Sequence, residues 1–90
     1  MASSKCDQLR AKGNAEYKQL SEGSCLFAAP VRRRKLVLAC QQYMDALGCS
    51  HTAAERAACF KNLGMLHVMW GKFEFKDTAA DSSKLASLKP

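Results

Sequence analysis

The sequence predicts an all-α chain of four helices, near 4–20, 31–47, 52–70 and 75–88, stacked as two antiparallel hairpins. Three observations carry that expectation. Apolar residues recur at i, i+3 and i+4 in each segment. Pro and Gly are scarce, two and five in 90 residues, while Ala, Leu, Lys, Arg and Gln are plentiful. Apolar residues make up 48% of the chain, which suits one small packed domain over 1–90 and argues against disorder.

Ser4 is placed to cap the first helix. Its apolar line is Cys6, Leu9, Gly13, Tyr17 and Leu20. Gly13 stands on that line, where Gly costs about 1 kcal/mol relative to Ala; close approach by a neighbouring helix is the physical reason to tolerate it. Arg10 and Asn14, one turn apart, share the face beside the packed one. Ser21–Pro30 reads as a loop from its Ser, Gly and Pro content, with Leu26 and Phe27 folding back onto the core. Arg32, Arg33, Arg34 and Lys35 open the second helix, whose stripe is Leu36, Ala39, Cys40, Tyr43 and Leu47, with Gly48 as its C-terminal stop.

The third helix is the centre of the reading. Ser50 or Thr52 caps it and Gly71 ends it. One line, Ala53, Ala57, Phe60, Gly64 and His67, follows the spacing of a packed face; the next, Cys59, Leu63, Leu66 and Trp70, is apolar too. The expectation is a central helix covered on two sides, with His67 a core histidine and Asn62 a satisfied polar residue at the rim. Phe73 and Phe75 follow as anchors. Asp77 or Thr78 then starts a short fourth helix carrying Ala79, Ala80, Leu85 and Leu88 and ending by Pro90.

The five cysteines, an odd number, read as reduced thiols, with Cys6, Cys40 and Cys59 acting as small apolar residues. No C-x-x-C pair suggests zinc; Cys49-x-His51 is the nearest pairing, and no metal or cofactor is expected. The N-terminus lacks an apolar signal core and no apolar run reaches the roughly 18 residues of a membrane span, so the expectation is a cytoplasmic protein. Neither His51 nor His67 has a carboxylate or thiol at a recognisable catalytic spacing, so no enzyme is expected. Net charge is +6, and residues 1–36 hold most of it, with eight Lys/Arg against three Asp/Glu. Acidic partners follow: an acidic peptide, a nucleic acid or a membrane surface. Arg32, Arg33, Arg34 and Lys35 read either as a nucleic-acid or nuclear-import patch or as a solvated face.

Lys12–Lys18 (KGNAEYK), followed by Ala39-x3-Tyr43-x2-Ala46-Leu47, resembles one tetratricopeptide repeat (TPR). Phe60-x2-Leu63-Gly64, then Gly71-x-Phe73 and the closing Leu88-Lys89-Pro90, resembles a second. Repeat one would span about 4–47 with an inserted loop at 21–31, and repeat two about 52–90. Gly13 and Gly64 stand 51 residues apart, where adjacent repeats stand about 34 apart, and Glu16 and His67 replace an expected aromatic. The resemblance implies a peptide-binding scaffold without catalysis. Its co-chaperone members hold the acidic C-terminal tail of heat-shock chaperones in a carboxylate clamp. The clamp positions fall on Arg10, Asn14 and Asn62. Its two further basic residues belong to a third repeat not present in this sequence, so the expectation is either an isoform or fragment of a longer array or a stack completed by a partner or self-association.

Overall fold

Among the described residues there are three helices, not four: α1 (Lys5–Gly23), α2 (Ala29–Gly48) and α3 (Ala53–Leu88). The structure is a computed structural model describing the backbone of residues 4–23 and 26–88, with side chains through residue 79. Cys25, Pro90 and the side chains of Ala80, Leu85 and Leu88 lie outside the described residues. The all-α class holds; the second hairpin does not form, because the predicted third and fourth helices are one continuous helix of 36 residues.

Gly71 does not stop α3. A glycine stop relies on a left-handed backbone at the residue after the helix, and no described glycine has positive φ. A mid-helix glycine costs only about 1 kcal/mol. Beyond it, side chains hold the helix beside α2: Arg32 reaches Asp77 at 2.6 Å and Arg33 reaches Glu74 at 3.0 Å.

Ser4 caps α1 as expected, its Oγ accepting from the Asp7 N–H at 3.1 Å. α1 runs on to Gly23, and α2 begins at Ala29, before Val31, so the predicted loop shrinks from both ends. Pro30 belongs to the first turn of α2, where a missing N–H leaves no bond unmade. Leu26 does not fold back, being 82% exposed; Phe27 does pack against the core. α2 ends without a left-handed Gly48: the Cys49 N–H donates to Asp45 and Ala46 carbonyls, and the Ser50 hydroxyl donates to the Leu47 carbonyl at 2.7 Å. Thr52 therefore caps α3. Its Oγ1 accepts from the Glu55 N–H at 3.0 Å while Glu55 Oε1 accepts from the Thr52 N–H at 3.2 Å, the reciprocal pair of a capping box.

The main core joins Leu20, Leu36, Ala39, Tyr43, Leu63 and Leu66 from all three helices. A smaller cluster joins Cys6, Ala46 and Cys59 near the start of α3. Gly13 has the predicted neighbour: a Cβ there would lie 2.6 Å from the Tyr43 ring.

α3 is covered on one side, not two. Cys59, Leu63 and Leu66 are buried and Trp70 is half-buried, whereas Ala53, Ala57, Phe60, Gly64 and His67 all face solvent. His67 is no core histidine; it lies exposed, stacked on Trp70 with ring centroids 6.5 Å apart. Phe73 packs on the core, but Phe75 is 77% exposed and anchors nothing. Among the described residues, no helix is long and apolar enough to cross a membrane.

Candidate functional site between α1 and α3

Arg10, Asn14 and Asn62 meet on one surface. Arg10 Nε donates to Asn62 Oδ1 at 3.1 Å, and Asn62 Nδ2 donates to Asn14 Oδ1 at 3.2 Å. The same Asn14 oxygen accepts from the Tyr43 hydroxyl at 2.6 Å. Tyr43 has its ring in the core and only its hydroxyl at the surface; burial first, and Tyr17 second, push its pKa up to about 12. It therefore stays a neutral donor that fixes the Asn14 carbonyl inward. Asn14 is exposed, and with its oxygen so occupied its amide hydrogens remain to offer to a ligand. Asn62 is half-buried and bonded, as the rim reading expects.

Asp7 and Tyr43 were not legible as members of this cluster. Asp7 Oδ1 accepts from Arg10 Nη1 at 3.1 Å, so a carboxylate of the chain itself already rests on the guanidinium. The i, i+3 spacing of Asp7 and Arg10 is the signal that could have found it. For Tyr43 the sequence signals only a place in the apolar stripe of α2.

Along the same groove, about two turns from Asn62, an open recess of about 260 Å³ is lined by Tyr17, Leu20, Ser21, Met65, Met69 and Phe73, among others. A cluster of polar donors thus leads into an apolar recess between α1 and α3.

The basic cluster is largely spent inside the molecule. Arg32 holds Asp77 with Nη2 at 2.6 and 2.8 Å, donates to the Phe27 carbonyl at 3.3 Å and lies over the Phe73 ring at 4.9 Å. Arg33 pairs with Glu74. Lys35 reaches Glu16 at 3.4 Å and Gln19 at 2.8 Å, and sits over Phe27. Arg34 is exposed.

Cys49 and His51 belong to no group of three metal-ligating side chains among the described residues. Such a group lies elsewhere: Cys6, Asp7 and Glu55 place ligand atoms within 4.8 Å of one another, and Cys59 Sγ lies 3.7 Å from Cys6 Sγ. Its chemistry favours packing over ligation. Burial, then the Cys59 neighbour, push the Cys6 thiol up to about 11, whereas a metal needs the thiolate. Glu55 is occupied by the cap, and the His51 N–H, then the Ser4 hydroxyl, hold its carboxyl below the ordinary range. Compared with models of known families, with curated proteins and with solved structures, the chain matches none.

Proposed function

We propose that the chain is a protein-interaction scaffold, without catalysis, that takes the acidic C-terminal end of an extended peptide into the α1–α3 groove. The observation that supports this most is the convergence of Arg10, Asn14 and Asn62 at hydrogen-bond distance, the positions to which the TPR resemblance assigns carboxylate capture. An arginine and two amides offer several donors, for which Asp7 is the competing acceptor, and charge-assisted bonds are the stronger kind. The terminal carboxylate replaces Asp7 on Arg10, and the preceding apolar side chain enters the recess beside Tyr17, Met65 and Met69. A heat-shock chaperone tail has that chemistry, and the cytoplasm is the compartment that suits it.

The alternative, nucleic-acid binding through Arg32, Arg33, Arg34 and Lys35, is less well supported, because Arg32, Arg33 and Lys35 are engaged with Asp77, Glu74 and Glu16. Titration of a peptide ending Glu-Glu-Val-Asp against its C-terminally amidated form tests the groove. Each charge-assisted bond contributes about 1.5–3 kcal/mol, so with a guanidinium and two amides the dissociation constant falls at tens of micromolar or weaker. Amidation and Asn62→Ala each weaken binding, and Asp7→Asn strengthens it by freeing Arg10. Equal binding of the two peptides, or weaker binding by Asp7→Asn, sinks the groove reading; loss on neutralising Arg32–Lys35 alone favours the alternative.

A further inference from the structure

The solvent side of α3 is the wrong kind of surface for a helix in water. From Phe60 to Phe75 its outermost line is Phe60, Gly64, His67, Val68, Gly71 and Phe75, all exposed, with no residue carrying a full charge among them. Phe60 is 60% exposed, Val68 59% and Phe75 77%. Two glycines lie on this line, and a Cβ on either would meet nothing within 4 Å. Gly13 is explained by Tyr43; among the described residues Gly64 and Gly71 have no such neighbour, although each weakens the helix.

The order of residues on this face reads the same from both ends. Phe60 stands four residues before Gly64, Gly71 four residues before Phe75, and each Gly three residues from the central His67–Val68 pair. A two-fold axis through that centre, perpendicular to α3, sets Gly64 opposite the second copy's Gly71. It also sets Phe60 opposite the second copy's Phe75. Bare glycines at facing positions let two helix axes approach closely, and an isologous interface requires such self-complementarity.

We propose that α3 is an antiparallel homodimerisation helix, a second copy of this chain covering the Phe60–Phe75 face about a two-fold axis between His67 and Val68. Each Phe leaves over half of its roughly 200 Å² in water. The two phenylalanines of each copy bring about 550 Å² to the pair, so with the rest of the face the contact belongs to the small, weak class below about 1,200 Å². The contact also supplies what the straight helix lacks: the region after Gly71 covers the Phe60 region of the other copy rather than of its own. Arg56, Lys61 and Lys72 rim the face on a chain of net charge +6, so like charges oppose the contact at low salt and screening relieves them. Asn62 lies on the opposite side of the same helix, so this surface stands apart from the Arg10–Asn14–Asn62 cluster, while Val68 and Lys72 at its edge also line the α1–α3 recess.

Sedimentation equilibrium on the whole chain tests the proposal. The expected mass is twice the 9.9 kDa of one chain, with a dissociation constant on the order of ten micromolar, tightening from about 20 to about 300 mM salt. Phe60→Glu and Phe75→Glu each raise that constant at least tenfold with helical content unchanged, their side chains being exposed. A photo-reactive phenylalanine at position 60 cross-links near residue 75 of the second copy. A monomer at about ten times that concentration overturns the proposal. So does a dimer indifferent to both substitutions, or a cross-link from position 60 to position 60, the mark of a parallel pair.

Discussion

Gly13 shows how much a single residue can settle. The helix-propensity rule favours Ala by about 1 kcal/mol, but a Cβ here lands 2.6 Å from Tyr43 Cε1. The ring cannot move aside, being buried and tied through its hydroxyl to Asn14 at 2.6 Å. Overpacking of about 1–3 kcal/mol therefore wins, and Gly13→Ala lowers stability by about 1–2 kcal/mol in a denaturant melt. Gly64→Ala, with open space around it, raises stability by up to about 1 kcal/mol at protein concentrations too dilute for association. Glu55 carries a pH dependence. The His51 N–H, the Ser4 hydroxyl and the Thr52 N–H hold its carboxyl below the ordinary 4.5. A depressed carboxyl stabilises the fold above its unfolded pKa, and the contribution is lost as pH falls through the folded one. Between pH 7 and pH 3 the melting temperature should fall less for Glu55→Gln than for the parent chain, and an equal fall would remove Glu55 as the cause. At this scale the sequence was informative: Ser4, Gly13, Asn62 and the stripes of α1 and α2 could be placed because each answers to local spacing. Asp7 and the Tyr43 hydroxyl could not, since their roles depend on which helices become neighbours.

At the scale of the element, the difficulty was α3. Two apolar lines run along it, 53–57–60–64–67 and 59–63–66–70, and periodicity alone cannot say which one a neighbour covers. α1 and α2 cover the second, and the first stays exposed because no fourth helix returns across it. The hairpin failed for a related reason. Gly71 marks a stop only if the next turn has somewhere better to go, and Glu74 and Asp77 already meet Arg33 and Arg32 while the helix runs straight. The distance between positions 53 and 79 separates the two architectures. Twenty-six residues of straight helix at about 1.5 Å each give roughly 39 Å between the backbones, against roughly 22 Å in the hairpin, where position 79 would lie beside position 66, about 20 Å along the axis from position 53 and about 10 Å across. Spin labels at Ala53 and Ala79, each diluted with unlabelled chain, should report the long distance; a short one would restore the fourth helix.

For the whole molecule, the cation cluster is a fastener. The buried core ends near Leu66 on α3, and past it Phe73 and the ion pairs tie α3 to the start of α2. Arg33–Glu74 is about half exposed at both ends, so it contributes at most about 1 kcal/mol. Arg32–Asp77 differs: the two side chains are 13% and 20% exposed, Arg32 Nε is buried without a partner, and the guanidinium stacks on Phe73. Removing one member of a buried pair costs about 3–5 kcal/mol because the other charge is left stranded, whereas replacing both by apolar residues is often neutral. Asp77→Asn should therefore destabilise by close to 3 kcal/mol, and Arg32→Met with Asp77→Leu should recover most of the loss. The same comparison decides what the four cations are for. If Arg32 is chiefly a fastener, Asp77→Asn lowers the melting temperature and loosens the α2–α3 end without creating affinity for a short DNA duplex. If the cluster is a nucleic-acid surface held in check by Asp77 and Glu74, Asp77→Asn with Glu74→Gln should instead raise duplex affinity, with the steep salt dependence of phosphate contacts.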